Sequence, residues 1–176
     1  FKPAKKVTFI EYQFVDRDWA YKKIQSLVTP AQLRVFIQNE GGGLIDSNCQ
    51  LGTKNCNGAK ALTAANGDAY VLEGLLNEPP MAANVALNTT SGMLEAHEFF
   101  HTFQDVPFRG KAIPREKYPP DWLIEGSAEI IKNLVVNSHS LQKYKSYVNF
   151  SSMHLYGNYI NRDPAYISDY LDLSNY

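Results

Sequence analysis

The chain has 176 residues, 44% hydrophobic and 20% charged, a balance that places it with globular proteins and excludes a disordered chain. Lys plus Arg number 17 against 18 Asp plus Glu, so the formal charge of -1 offers no electrostatic footprint for nucleic acid or an anionic membrane. The longest apolar runs fall far short of the roughly eighteen residues that a membrane span needs.

In chain order, Val7 to Phe14 is β-branched and aromatic and predicts a strand behind a basic leader. Asp16 to Leu27 has helical spacing, with Trp19, Tyr21, Ile24 and Leu27 on one side. Thr29-Pro30 supplies an N-cap and a first-turn proline for a second helix over Ala31 to Asn39, closed by Gly41-Gly42-Gly43. That glycine run lacks the P-loop lysine and the dinucleotide spacing, so it marks a helix stop and turn. Cys49 and Cys56 stand in one polar, turn-rich loop. They read as a local disulfide, which implies an extracytoplasmic, secreted location; the alternatives are two free thiols or a metal loop. Strands are expected at Tyr70 to Leu76 and Asn84 to Asn88, around Pro79-Pro80, and the second runs straight into the stretch that carries the chemistry.

That stretch is Thr89 to His101, which contains His97-Glu98-Phe99-Phe100-His101, the pattern H-E-x-x-H. Thr89, Thr90 and Ser91 offer N-cap side chains, and Met93, Leu94, Ala96, His97, Phe100 and His101 recur at helical spacing. Residues four apart on a helix share a face, so His97 and His101 converge on one point and suit two corners of a tetrahedral zinc site. Glu98, one step round the helix, can lie beside the metal as a general base without binding it. A catalytic zinc needs a third protein ligand and one open position. Glu125, in Trp122-Leu123-Ile124-Glu125-Gly126-Ser127-Ala128-Glu129, follows His101 at a distance that allows a turn, a loop and a returning helix. Glu129, one helical turn on, faces the same way and can accept the N–H of a ligand histidine.

The helix of His101 is expected to run to about Asp105, stopped by Pro107. Phe108 to Pro120 is a basic connection, and Pro119-Pro120 with Asp121 starts the second helix, which continues through Val135. Gly126 inside that helix is expected where a side chain would press on the metal or the first helix. Leu141 to Asn149 suggests a further helix, and Met153 to Tyr176 is rich in tyrosine.

His-Glu-Phe-Phe-His followed by Trp-Leu-Ile-Glu-Gly-Ser-Ala-Glu resembles the gluzincin group of zinc metallopeptidases, and the Glu-Gly-x-Ala-Glu form is most similar to bacterial collagenases and related peptidases. The resemblance spans Met93 to Leu134 and implies that Glu125 is the third zinc ligand and that Glu129 supports a ligand histidine. Metzincins would need a glycine at position 104 and a ligand at 107, where this chain has Gln104 and Pro107. Deuterolysin-like enzymes would need an Asp three residues before a Tyr-Gly pair, but Met153 precedes Tyr156-Gly157. Nothing between Ala59 and Asn88 matches the Gly-x-Met-Glu-Asn stretch of the related aminopeptidases, which favours an endopeptidase.

The expected fold is α+β and zincin-like: a small mixed sheet over an active-site helix, then a mainly helical second half. One domain covers 1–176, with the sheet and active helix in 1–105 and the lobe carrying Glu125 in 106–176, either alone or within a longer chain. The expected activity is hydrolysis of a polypeptide substrate with Zn2+. A substrate strand would add to a sheet edge at Asn84, Val85 and Ala86 or at the Tyr70 strand. An oxyanion donor is sought among Tyr118, Tyr156 and Tyr170. The alternatives are a catalytically silent relative serving as a binding or scaffold module, and a structural zinc domain whose fourth ligand is a protein residue such as Glu129.

Overall fold

The computed structural model describes residues 4–39, 43–77, 92–109, 111, 117 and 119–147. Its centre is a three-stranded sheet in the order β1-β5-β4. β1 (Lys6–Tyr12) runs parallel to β5 (Asp68–Gly74), and β4 (Gly58–Thr63) runs antiparallel to it. β5 is buried along nearly its whole length, as a strand with neighbours on both sides and helices on both faces should be. Parallel pairing of β1 with β5 demands a long crossover, and α1 (Arg17–Leu27) and α2 (Pro30–Asn39) lie within it.

The register places Ile10, Tyr12, Leu62, Tyr70 and Leu72 on one face, where they join Ala20, Ile24 and Phe36 in the hydrophobic core. The buried stripe of α1 is Ala20 and Ile24, with Leu27 packed alongside, an i, i+4, i+7 spacing. Trp19 and Tyr21, expected on that side, are 52% and 37% exposed instead. Each stands one residue, about 100°, round the helix from Ala20, and bulk alone does not pull them inward. At the start of α2, the Gln32 amide donates to Thr29 Oγ1 at 3.2 Å, and the Thr29 amide donates back to Gln32 Oε1 at 2.9 Å, a reciprocal cap. Of the expected glycine stop, residues 41 and 42 lie outside the described residues.

Two short strands, β2 (Cys49–Gln50) and β3 (Asn55–Cys56), form a hairpin closed by the Cys49–Cys56 disulfide. This hairpin and β4 were missed in the sequence, where 47–58 reads as polar loop and the short, small-residue Gly-Ala-Lys-Ala-Leu-Thr of β4 lacks a β-branched or aromatic run. Asn48 ties the hairpin to the core: its Nδ2 donates to Tyr12 Oη and to the Leu72 carbonyl, both at 3.0 Å. Tyr12 donates onward to the Ile45 carbonyl at 2.9 Å, and burial pushes its hydroxyl up to about 12. Gly74 is required where β5 passes this hairpin, since a Cβ there would stand 2.8 Å from Cys56 Cβ.

The opposite face of the sheet meets α3 (Met93–Gln104), which lies against β4 and β5. α4 (Asp121–Val136) returns alongside α3, and a further helical segment occupies 141–147. α3 begins after Gly92, whose φ of 75° places it in the left-handed region that favours glycine, and which has no side chain to cap the helix. Thr89, Thr90 and Ser91, the expected caps, lie outside the described residues. The helix ends at Gln104, with the 3-10 turn Val106–Phe108 following at Pro107. The molecule is thus mixed α and β, with a small mixed sheet and helices on both of its faces.

Candidate metal centre

α3 and α4 bring five of the expected residues to one place. His97 and His101 lie one above the other on α3, ring centroids 4.7 Å apart. His97 Nε2 is 3.1 Å from Glu125 Oε2, and His101 Nε2 is 3.7 Å from the same oxygen. The outer nitrogens are held as well. His97 Nδ1 donates to Glu129 Oε1 at 3.0 Å, and His101 Nδ1 donates to Gln104 Oε1 at 2.5 Å. The Gln104 amide is oriented by its Nε2, which donates to the Ile124 carbonyl at 2.9 Å and to Ser127 Oγ at 2.7 Å. An ionised carboxylate and an amide oxygen can only accept, so the Nδ1 of each ring carries a proton; each Nε2 faces the Glu125 carboxylate, to which that of His97 also donates when no ion is bound, and a metal would take the place of that proton.

Gln104 entered the sequence reading only as a mismatch to another family, yet it joins His101 to α4. The available signal was its position, three residues after His101 on the same helical face. Glu129 has two further partners that the sequence did not suggest: Lys132 Nζ at 2.6 Å and Tyr147 Oη at 3.4 Å. Gly126 is not required for the packing of α4 against α3, one of the two reasons expected for it. A Cβ there would meet no atom of another described element within 4 Å.

The site is buried at its floor and open at its mouth. His97 and Glu98 are 8% and 6% exposed, whereas Glu125 is exposed. Burial pulls the His97 imidazole down, but the hydrogen bonds to Glu125 and Glu129 outweigh it and hold the ring up at about 9. His101 is also raised, with Glu125 and Gln104 overcoming the effect of burial. The hydrogen bonds from His101 and His97 hold the Glu125 carboxyl well below the usual carboxylate range. Burial opposes the ionisation of Glu129, yet His97 and Lys132 lower it overall.

His97, Glu98 and His101 form a group that can hold a metal ion, their candidate donor atoms lying within 4.8 Å of one another. Glu125 fits the same centre. Tetrahedral bonds of about 2.05 Å place donors roughly 3.3 Å apart, and the Nε2–Oε2 separations of 3.1 and 3.7 Å bracket that value.

Tyr118, Tyr156 and Tyr170, considered as oxyanion donors, and Asn84, Val85 and Ala86, considered as a substrate-binding edge, lie outside the described residues. The other edge candidate, the Tyr70 strand, is corrected: it is β5, hydrogen-bonded to β1 on one side and β4 on the other, so no substrate strand can add to it. No family model matches the chain, and no curated protein or solved structure matches it either.

Proposed function

We propose that the chain is a zinc-dependent peptidase of gluzincin type, acting as an endopeptidase on polypeptides outside the cytoplasm. One observation carries the reading: both histidines turn Nε2 toward a single carboxylate oxygen while an acceptor pins each Nδ1. An ordinary buried histidine pair has no need of such mutual orientation, whereas metal-ligating imidazoles regularly show it. His97, His101 and Glu125 would hold the ion, and three protein ligands leave a position for water or substrate. Zinc in such a site supplies Lewis-acid chemistry and acidifies water.

The chain's own residues do the rest. Glu98 follows the first histidine and is almost fully enclosed. It accepts the proton of the attacking water and passes it to the leaving amine. Glu129 and Gln104 keep the imidazoles in the ligating tautomer. Glu125 is preferred to Glu98 as the third ligand because its oxygen faces both Nε2 atoms, which leaves Glu98 for proton transfer. The Cys49–Cys56 disulfide supports a location outside the cytoplasm, and among the described residues no helix is long and apolar enough to cross a membrane.

The test is cleavage of an unstructured protein such as casein by the purified chain, before and after chelation, beside Glu98→Gln. The reading expects cleavage that is lost on chelation, restored by zinc, and reduced by at least about a hundredfold in Glu98→Gln, the scale of a lost general base. Full activity in Glu98→Gln would refute it.

A further inference from the structure

Glu129 alone is a loose support for an imidazole. Its side chain is 45% exposed, and holding one geometry costs it rotamer freedom while water competes for its oxygens. Yet its Oε1 stands 3.0 Å from His97 Nδ1. What fixes the carboxylate lies behind it. Lys132, three residues further along α4, places Nζ 2.6 Å from the same Oε1, and Tyr147 Oη lies 3.4 Å from Oε2. Both carboxylate oxygens are therefore held from the side away from the centre.

Lys132 differs from an ordinary surface partner in its burial: it is 5% exposed. An exposed i, i+3 ion pair contributes little, because water competes for both ends. A buried ammonium lacks that alternative, and separating it from its carboxylate leaves an uncompensated charge. The Tyr147 ring stands on another side of the ammonium, its centroid 5.8 Å from Nζ and within cation–π range. Asn133 Nδ2 donates to the Tyr144 carbonyl at 3.4 Å, which keeps the 141–147 segment against α4.

We infer that Lys132 is a positioning residue for His97, acting through Glu129. The buried ammonium pins the carboxylate, the carboxylate holds the Nδ1 proton, and the ring is kept with Nε2 turned toward Glu125. The relevance of this chain of bonds to catalysis rests on the zinc-peptidase reading, whereas the orientation of the ring belongs to the chain without metal. A purely structural ion pair would stabilise α4 without reaching the imidazole, so the two roles differ in what they move.

The experiment uses the full chain, labelled with nitrogen-15 at histidine, in two states. In the metal-free chain the His97 Nδ1–H proton is followed by NMR, assigned through its ring nitrogen and its loss in His97→Gln. Lys132→Met keeps the length of the stem and removes the charge, a replacement of a buried ion that folds commonly tolerate. Lys132→Gln repeats the test with a polar side chain. The expected result is that the proton exchanges with water at least about tenfold faster in both variants than in the wild type. In the second state, zinc affinity is measured by competition with a chromogenic chelator. It should fall about tenfold in Lys132→Met, the low end for an outer partner, because the lysine acts one step further out. On a Glu129→Gln background the same substitution should change affinity by less than about twofold, since the residue it acts through is gone. Unchanged proton exchange, unchanged zinc affinity in Lys132→Met, or an undiminished effect on the Glu129→Gln background would overturn the assignment. A wild-type chain that binds no zinc would instead refute the peptidase reading, and the metal-free measurement would still decide the role of Lys132.

Discussion

Gln104 illustrates how a candidate metal site is held by residues outside the motif. It gives His101 Nδ1 an acceptor and anchors its own amide on α4, so Gln104→Ala frees the ring to rotate and to change tautomer. Zinc affinity, measured by competition with a chromogenic chelator, is expected to fall 10- to 100-fold, the usual loss for such an outer partner. Glu73 is a second residue whose role the sequence did not suggest. It is 2% exposed on β5, faces α3, and its Oε2 has no hydrogen-bond partner. Burial, then the charges of Glu95, Glu11 and Glu98, raise its carboxyl from 4.5 to about 7. A raised acid means that the folded state binds the proton more tightly than the unfolded chain. Stability is therefore greatest below about pH 4.5 on this account and falls as the pH rises to about 7. Glu73→Gln should remove that slope and add about 1–3 kcal/mol at pH 8. Urea unfolding of both proteins at pH 4.5 and 8 checks it, and an equal difference at the two pH values would contradict it. Of the candidate site, the sequence made His97, Glu98 and His101 legible because helical spacing alone places them together. Gln104, Lys132 and Glu73 were not legible, because their roles depend on which helix or strand lies opposite, and no local pattern encodes that.

At the scale of elements, the long periodic segments were readable. β1, α1, α2, α3, α4 and β5 all fall within a few residues of where hydrophobic spacing and proline or threonine signals put them. The shortfalls share a cause. β4 is made of small residues, and it becomes a strand by pairing with β5, whose Val71 and Leu72 sit beside Ala61 and Lys60. The Cys49–Cys56 hairpin consists of two-residue strands, too short to carry an alternation. The faces of α1 were misjudged because large aromatic residues were weighted over the stripe that meets the sheet. The hairpin has its own test. The disulfide closes a loop with a sequence separation of 7, and chain entropy assigns such a loop roughly 2 kcal/mol. The double variant Cys49→Ala, Cys56→Ala should lose about that much in thermal or urea unfolding, partly by loosening the hairpin from Asn48. No change on reduction of the wild-type protein would show that hydrogen bonds such as that of Asn77 Nδ2 to the Lys54 carbonyl, at 2.6 Å, hold the loop without the disulfide.

For the whole molecule, the sheet positions α3, α3 carries two imidazoles, and α4 closes the centre from the side with Glu125 and Glu129. His97, His101 and Gln104 of α3 each bond to a residue of α4. Metal binding is therefore expected to be coupled to docking of α4. An ion that binds only the folded chain stabilises it by about 4 kcal/mol at a thousand times its dissociation constant, so the melting temperature should rise with added zinc and fall with chelator. The measurement that most directly tests the central claim is the metal content of the purified chain by mass spectrometry, for wild type, Glu98→Gln and Glu125→Ala. One zinc per chain is predicted for the wild type and for Glu98→Gln, with zinc lost or weakened at least about a hundredfold in Glu125→Ala. Absence of zinc from the wild type even after reconstitution, or undiminished binding in Glu125→Ala, would contradict the assignment of the centre.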